Sequence, residues 1–124
     1  METKNYSTFI KTIFCDIDGC IFLHCGNSTD VFHLKPKLLP GVTEAFTDWC
    51  KKGYAVIITT ARPESLREIT AQQINEAGLF FDQLIMGLPL GARVVINDVP
   101  DPNSFKKAEA INLLVDRGML DLDI

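Results

Sequence analysis

Residues 8–19 read TFIKTIFCDIDG, and the fold follows from how that stretch begins and how it ends. Thr8 to Asp18 is rich in β-branched and aromatic residues, so it reads as a strand. The strand finishes on two carboxylates, Asp16 and Asp18, followed by Gly19, where the chain can turn sharply.

Downstream, a loop runs from about Leu23 to Pro40 and holds Gly, Asn, Ser, Asp and two prolines. In GVTEAFTDWCKKG, the residues Val42, Ala45, Phe46, Trp49 and Cys50 recur at helical spacing and make one apolar stripe. Gly53 stands where a helix commonly closes. YAVIITT, residues 54–60, is a near-continuous apolar run of the kind buried on both faces of a sheet. PESLREITAQQINEAG has Pro63 at its start and Gly78 at its end, which predicts a second helix. Asp82–Met86 and Arg93–Asn97 read as further strands, and Ser104 to Arg117 as a last helix that stops at Gly118.

Strands alternating with helices predict an α/β fold: a single doubly wound, mainly parallel sheet, formed by one domain over residues 1–124. Ligands of such sheets bind beyond the carboxyl ends of the strands. Three polar groups converge there. The Asp16–Asp18 pair carries like charges that a hard divalent cation such as Mg²⁺ would relieve. Thr60, Ala61 and Arg62 place a hydroxyl, main-chain N–H groups and a guanidinium at a helix start, which is an anion seat. Asn97 and Asp98 end the fourth expected strand and bring another carboxylate to the same edge. Each group alone also fits a cap or a turn; three together point to a phosphate and its cation.

The composition is that of an ordinary globular chain, 47% hydrophobic and 23% charged. A net charge of −4 with no run of Lys and Arg argues against a general attraction to nucleic acid. The start, METKNYSTFIKTIF, has no apolar segment long enough for a signal peptide or a membrane span, so the expected location is cytoplasmic. Cys15, Cys20, Cys25 and Cys50 are then expected to be free thiols. No CxxC pair is present, which argues against a zinc site.

DIDGC resembles the first motif of the haloacid-dehalogenase-like superfamily, IITTAR its second and VVINDV its fourth. LLPGVTEAF, GYAVIITTARPES and FDQLIMGLP are also similar to its small, capless members. The resemblance implies a Rossmann-like core without a cap domain and a two-step phosphatase. Asp16 would attack phosphorus, Asp18 would act as general acid and then base, and Thr60 would hold the phosphate. Mg²⁺ would bind the Asp16 carboxylate, the Asp18 carbonyl and Asp98, with Asn97 beside them. The expected substrate is a phosphorylated sugar or similar small metabolite. A capless member takes either a large substrate that covers the site or an oligomeric partner that does so, which makes a homo-oligomer an expectation.

Two positions depart from the family pattern. The third-motif lysine, expected near Leu88, is missing, and Arg93, Lys106 or Lys107 is the candidate substitute. Asn97 stands where many relatives have an acid. The alternative is therefore a non-catalytic domain that binds Mg²⁺ and a phospho-ligand; a polynucleotide or phosphoprotein phosphatase is the other enzyme reading. A phospho-acceptor receiver domain fits less well, because its acidic pair lies on a separate strand. His24 and His33 read as solvated loop histidines, and Asp101 either assists Asp98 or turns the chain before Pro102.

Overall fold

The computed structural model describes residues 9–24 and 35–124. Strand β1 (Thr12–Asp16) leads through the loop to helix α1 (Val42–Lys51) and then to β2 (Ala55–Thr59). A 3₁₀ turn (Glu64–Leu66) opens into helix α2 (Arg67–Glu76), and β3 (Gln83–Ile85) follows. The three strands form one open, parallel sheet in the order β1-β2-β3.

The register puts Cys15, Ile58 and Leu84 side by side, and Asp16, Thr59 and Ile85 in the next row. Because successive side chains alternate in direction, these rows face opposite sides of the sheet. The Cys15 row, with Ile13 and Val56, is buried in the main core. On the other face Phe14 is 62% exposed and Ile57 half-buried. Burial of YAVIITT on both faces is therefore not what forms: β2 alternates buried and half-buried residues.

Helix α1 buries Val42, Ala45, Phe46 and Trp49 as its spacing predicts, with Phe46 and Trp49 ring centroids 4.8 Å apart. Cys50, the last residue of the expected stripe, is exposed, since an i+8 position has rotated off the face that Trp49 occupies. Glu44 in the first turn and Lys51 in the last complement the helix dipole. Among the described residues no helix is long and apolar enough to cross a membrane.

Beyond β3 the expectation fails. Arg93–Asn97 forms no strand and Ser104–Arg117 no helix. A strand gains its hydrogen bonds only from a neighbour, and Arg93–Asn97 has joined neither edge of the sheet. The last segment is held by main-chain contacts that a helix could not make. Asp116, with φ 63°, donates its N–H to the Gly19 carbonyl at 2.9 Å, and Met119 donates to Pro40 at 2.8 Å. Ala108, Ile111, Leu114 and Val115, the expected helical stripe, are left largely exposed.

Candidate active site

Asp16 ends β1 directly beside Thr59, the last residue of β2. The chain then curls round the Ile17 carbonyl, which accepts N–H groups from Cys20, Ile21 and Phe22. Gly19, at φ 86°, returns its N–H to the Phe22 carbonyl at 2.7 Å. Ile17, Ile21 and Phe22 are buried and pin the loop to the core. Asp16 and Asp18 thus emerge on either side of one buried side chain.

The two carboxylates meet different surroundings. Asp16 Oδ1 accepts the Ile17 N–H at 2.9 Å, while Oδ2 has no donor among the described residues. Although the residue as a whole is exposed, desolvation of its carboxyl group raises its pKa. The Ile17 N–H opposes that rise, and so do the charges of Arg93 and Arg62; the charge of Asp18 adds to it.

Asp18 is instead held by a guanidinium fork. Arg62 Nη2 lies 2.7 Å from Asp18 Oδ1, and Nε 2.9 Å from Oδ2. The remaining terminal nitrogen, Nη1, donates to Thr70 Oγ1 at 3.1 Å and to Gln73 Oε1 at 2.8 Å. The Arg62 side chain is 4% exposed and that of Asp18 23%.

The turn after β2 is equally constrained. Thr60 is buried, and its hydroxyl oxygen accepts the Arg62 N–H at 3.0 Å. Thr60 and Arg62 are tied to the end of β3 and the chain after it by Thr60 N–H to Ile85, Leu88 N–H to Thr60 and Gly87 N–H to Arg62. The half-buried Ala61 between them has an N–H with no acceptor among the described residues. Arg93 folds back onto the Pro89 and Gly91 carbonyls at 3.0 and 2.8 Å, and its charge acts on Asp16.

Asn97 and Asp98, expected to bring a further carboxylate to this edge, form no cluster with the Asp16–Asp18 pair among the described residues. Asn97 is exposed, and the Asp98 side chain is 90% exposed with Oδ1 2.7 Å from Lys107 Nζ. That ammonium lowers the Asp98 pKa. Lys107 is thereby drawn to Asp98. Asp101 accepts the Asn103 N–H on Oδ1 and the Ser104 N–H on its carbonyl, so it turns the chain. No group of three His, Cys, Asp or Glu side chains among the described residues could hold a metal. For Mg²⁺ the fit is therefore incomplete: Asp16 offers a carboxylate, but Asp98 does not join it. His24 gives its main-chain N–H to Asp116 at 2.8 Å; His33 and Cys25 lie outside the described residues.

Thr70 and Gln73 went unnoticed in the sequence. Their signal is that two polar residues one turn apart share the buried side of α2 with Ile74.

Family models and curated proteins give no match to the chain. Solved structures do resemble it. One is a chain of the Pnkp1/Rnl/Hen1 complex, 24% identical with a TM-score of 0.54, covering 69% of this chain and 30% of that one. Another is a chain of the Pnkp1/Rnl/Hen1 RNA repair complex, 22% identical with a TM-score of 0.54, covering 86% of this chain and 31% of that one. This chain spans less than a third of either. At such identities the likeness is one of fold, an open parallel α/β sheet.

Proposed function

We propose that the chain is a phosphoric monoester hydrolase of the haloacid-dehalogenase-like kind, with a single capless domain. One observation carries this: two carboxylates two residues apart at a strand end are treated unequally. Asp18 has both oxygens in the Arg62 fork, whereas Asp16, paired with Thr59 at the strand end, presents an unengaged Oδ2. A nucleophile must be unencumbered, and a proton carrier must be oriented.

In this mechanism Asp16 Oδ2 attacks phosphorus as the bond to the leaving oxygen breaks, and Asp18 delivers a proton to that oxygen. Water then attacks the aspartyl-phosphate, Asp18 takes its proton, and phosphate leaves with Asp16 restored. The Ala61 N–H is the donor for a phosphoryl oxygen, the buried Thr60 hydroxyl fixes that turn by accepting the Arg62 N–H, and Arg93 supplies positive charge where the family lysine is missing. Mg²⁺, if bound, would neutralise phosphoryl charge. Asp16 and the Asp18 carbonyl are the residues that would hold it, since Asp98 is paired with Lys107.

Phosphorylated sugars or similar metabolites are the first substrate class to test, in a cytoplasmic setting. A polynucleotide end is the second, favoured by the RNA repair complex to which a structural neighbour belongs. The net charge of −4 weighs against it. The deciding experiment measures phosphate release from p-nitrophenyl phosphate, sugar phosphates and end-phosphorylated oligonucleotides, with and without Mg²⁺. Turnover that disappears in Asp16→Asn supports the assignment. Folded protein inert on every substrate would instead indicate a phospho-ligand-binding domain.

A further inference from the structure

Arg62 follows the phosphate-binding turn in sequence, and a guanidinium there invites the role of anion ligand. Its surroundings argue otherwise. A guanidinium has five N–H donors. Four are engaged inside the protein: two on the Asp18 carboxylate, one on Thr70 and one on Gln73. At 4% exposure the side chain offers almost no surface to a ligand. The group is also fixed from behind. Thr70 and Gln73 are themselves buried on α2, and the Arg62 main chain is held by the Thr60 hydroxyl and by Gly87.

We infer that Arg62 is a positioning residue, which orients the Asp18 carboxylate by relaying the fixed geometry of Thr70 and Gln73 on α2. This rests on the phosphatase mechanism proposed above and assigns Arg62 a place in it other than phosphate binding. Both Asp18 oxygens are engaged by the fork, so the carboxylate is held in a set direction. A carboxylate that must give a proton to the leaving oxygen and then take one from water depends on that direction. Misplacing such a group by about 1 Å costs on the order of 10²-fold in rate. Lysine could keep the charge but not the fork.

The test compares wild type with Arg62→Lys, Thr70→Val and Gln73→Leu on p-nitrophenyl phosphate, each variant first shown folded by circular dichroism. Three quantities are read: kcat, KM and the presteady-state release of p-nitrophenol. A competitive inhibition constant for inorganic phosphate is added. The expected result for Arg62→Lys is a kcat lower by about 10²-fold, with KM and the phosphate constant within about threefold. A burst of p-nitrophenol should accompany it, because hydrolysis of the aspartyl-phosphate waits on Asp18 while this good leaving group needs little acid. Thr70→Val and Gln73→Leu, which cannot touch substrate, should lower kcat by roughly three- to tenfold at unchanged KM.

A tenfold or greater rise in KM and in the phosphate constant, with kcat retained and no burst, would make Arg62 a phosphate ligand and overturn the inference alone. Stability losses in the α2 variants with kcat unchanged would overturn it as well, leaving Arg62 a purely structural ion pair. If Arg62→Lys does not fold, the two α2 variants decide. Wild-type protein that neither hydrolyses any monoester nor binds phosphate would sink the phosphatase assignment, and this inference with it.

Discussion

Asp82 and Val56 exchange two hydrogen bonds: the Val56 N–H reaches Asp82 Oδ2 at 2.7 Å, and the Asp82 N–H reaches the Val56 carbonyl at 2.7 Å. Asp82 sits one residue before β3, so its side chain supplies the acceptor that another rung of the ladder would have given. Val56 is completely buried. Asp82→Ala strands its N–H away from water and should cost about 1–3 kcal/mol of stability. Asp82→Asn keeps an acceptor oxygen and should cost less. Urea unfolding checks this, provided the slope with denaturant stays constant. Equal losses for both variants would mean that the carboxylate's charge, not its acceptor, matters.

Asp16 should hold a function that costs stability. Burial raises its pKa, so the folded protein binds that proton more tightly than the unfolded chain does. Stability present at low pH is then lost as pH rises from the ordinary carboxylate range through the raised value. Asparagine has no such proton. Without divalent cations, Asp16→Asn should therefore melt above wild type at pH 7, with the gain vanishing toward pH 3. The same variant should lose more than about 10³-fold in phosphatase activity. Equal melting temperatures at both pH values would contradict the desolvation.

Part of the candidate site's placement is legible from residue types alone. Asp16, Asp18, Thr60 and Ala61 converge because strand ends in a parallel sheet share one edge, and the α1 stripe from Val42 to Trp49 obeys helical period. Other features depend on what long side chains and late segments meet. Nothing local distinguishes an Arg62 that faces substrate from one that turns inward to Asp18. That choice is made by Thr70 and Gln73 on another element. Likewise, Ala108, Ile111, Leu114 and Val115 have helical spacing. That stripe finds no face to bury against and stays exposed, while the chain after it, at Asp116 and Met119, is tied to Gly19 and Pro40, far away in sequence.

Thiol chemistry should follow burial. Cys15 is buried in the core, and desolvation, with smaller effects from Cys20 and Asp16, drives its pKa far above the ordinary thiol value. Cys20 is half-buried and shifted the same way, by desolvation and then by Asp16 and Asp18. Cys50 is exposed. A thiolate is the reacting species. Of these three, iodoacetamide at pH 8 should thus modify Cys50 first, Cys20 slowly and Cys15 only in denaturant, as peptide mass mapping would show. Rapid modification of Cys15 in native protein would mean that β1 opens readily.

The return of the chain at residues 118–120 depends on two glycines without room for a side chain. Gly118, at φ 83°, would drive a Cβ into the Pro40 carbonyl oxygen, and Gly41, at φ 79°, would place one 2.5 Å from the Leu120 nitrogen. Main-chain atoms cannot rotate aside as a side-chain end can. Gly53 supplies the control, with φ 73° but nothing within 4 Å of its Cβ position. Gly53→Ala should show the cost of a left-handed alanine alone, about 1 kcal/mol, whereas Gly41→Ala and Gly118→Ala should each lose more than about 2 kcal/mol. The larger losses should extend to catalysis. Asp116, just before the return, holds the Gly19 carbonyl through its N–H and the His24 N–H through its carboxylate. Displacing the return loosens the loop that carries Asp18. Phosphatase activity measured well below the melting temperature should therefore fall in Gly118→Ala and persist in Gly53→Ala. Equal activity in the two would show that the Asp18 loop keeps its shape without the returning segment.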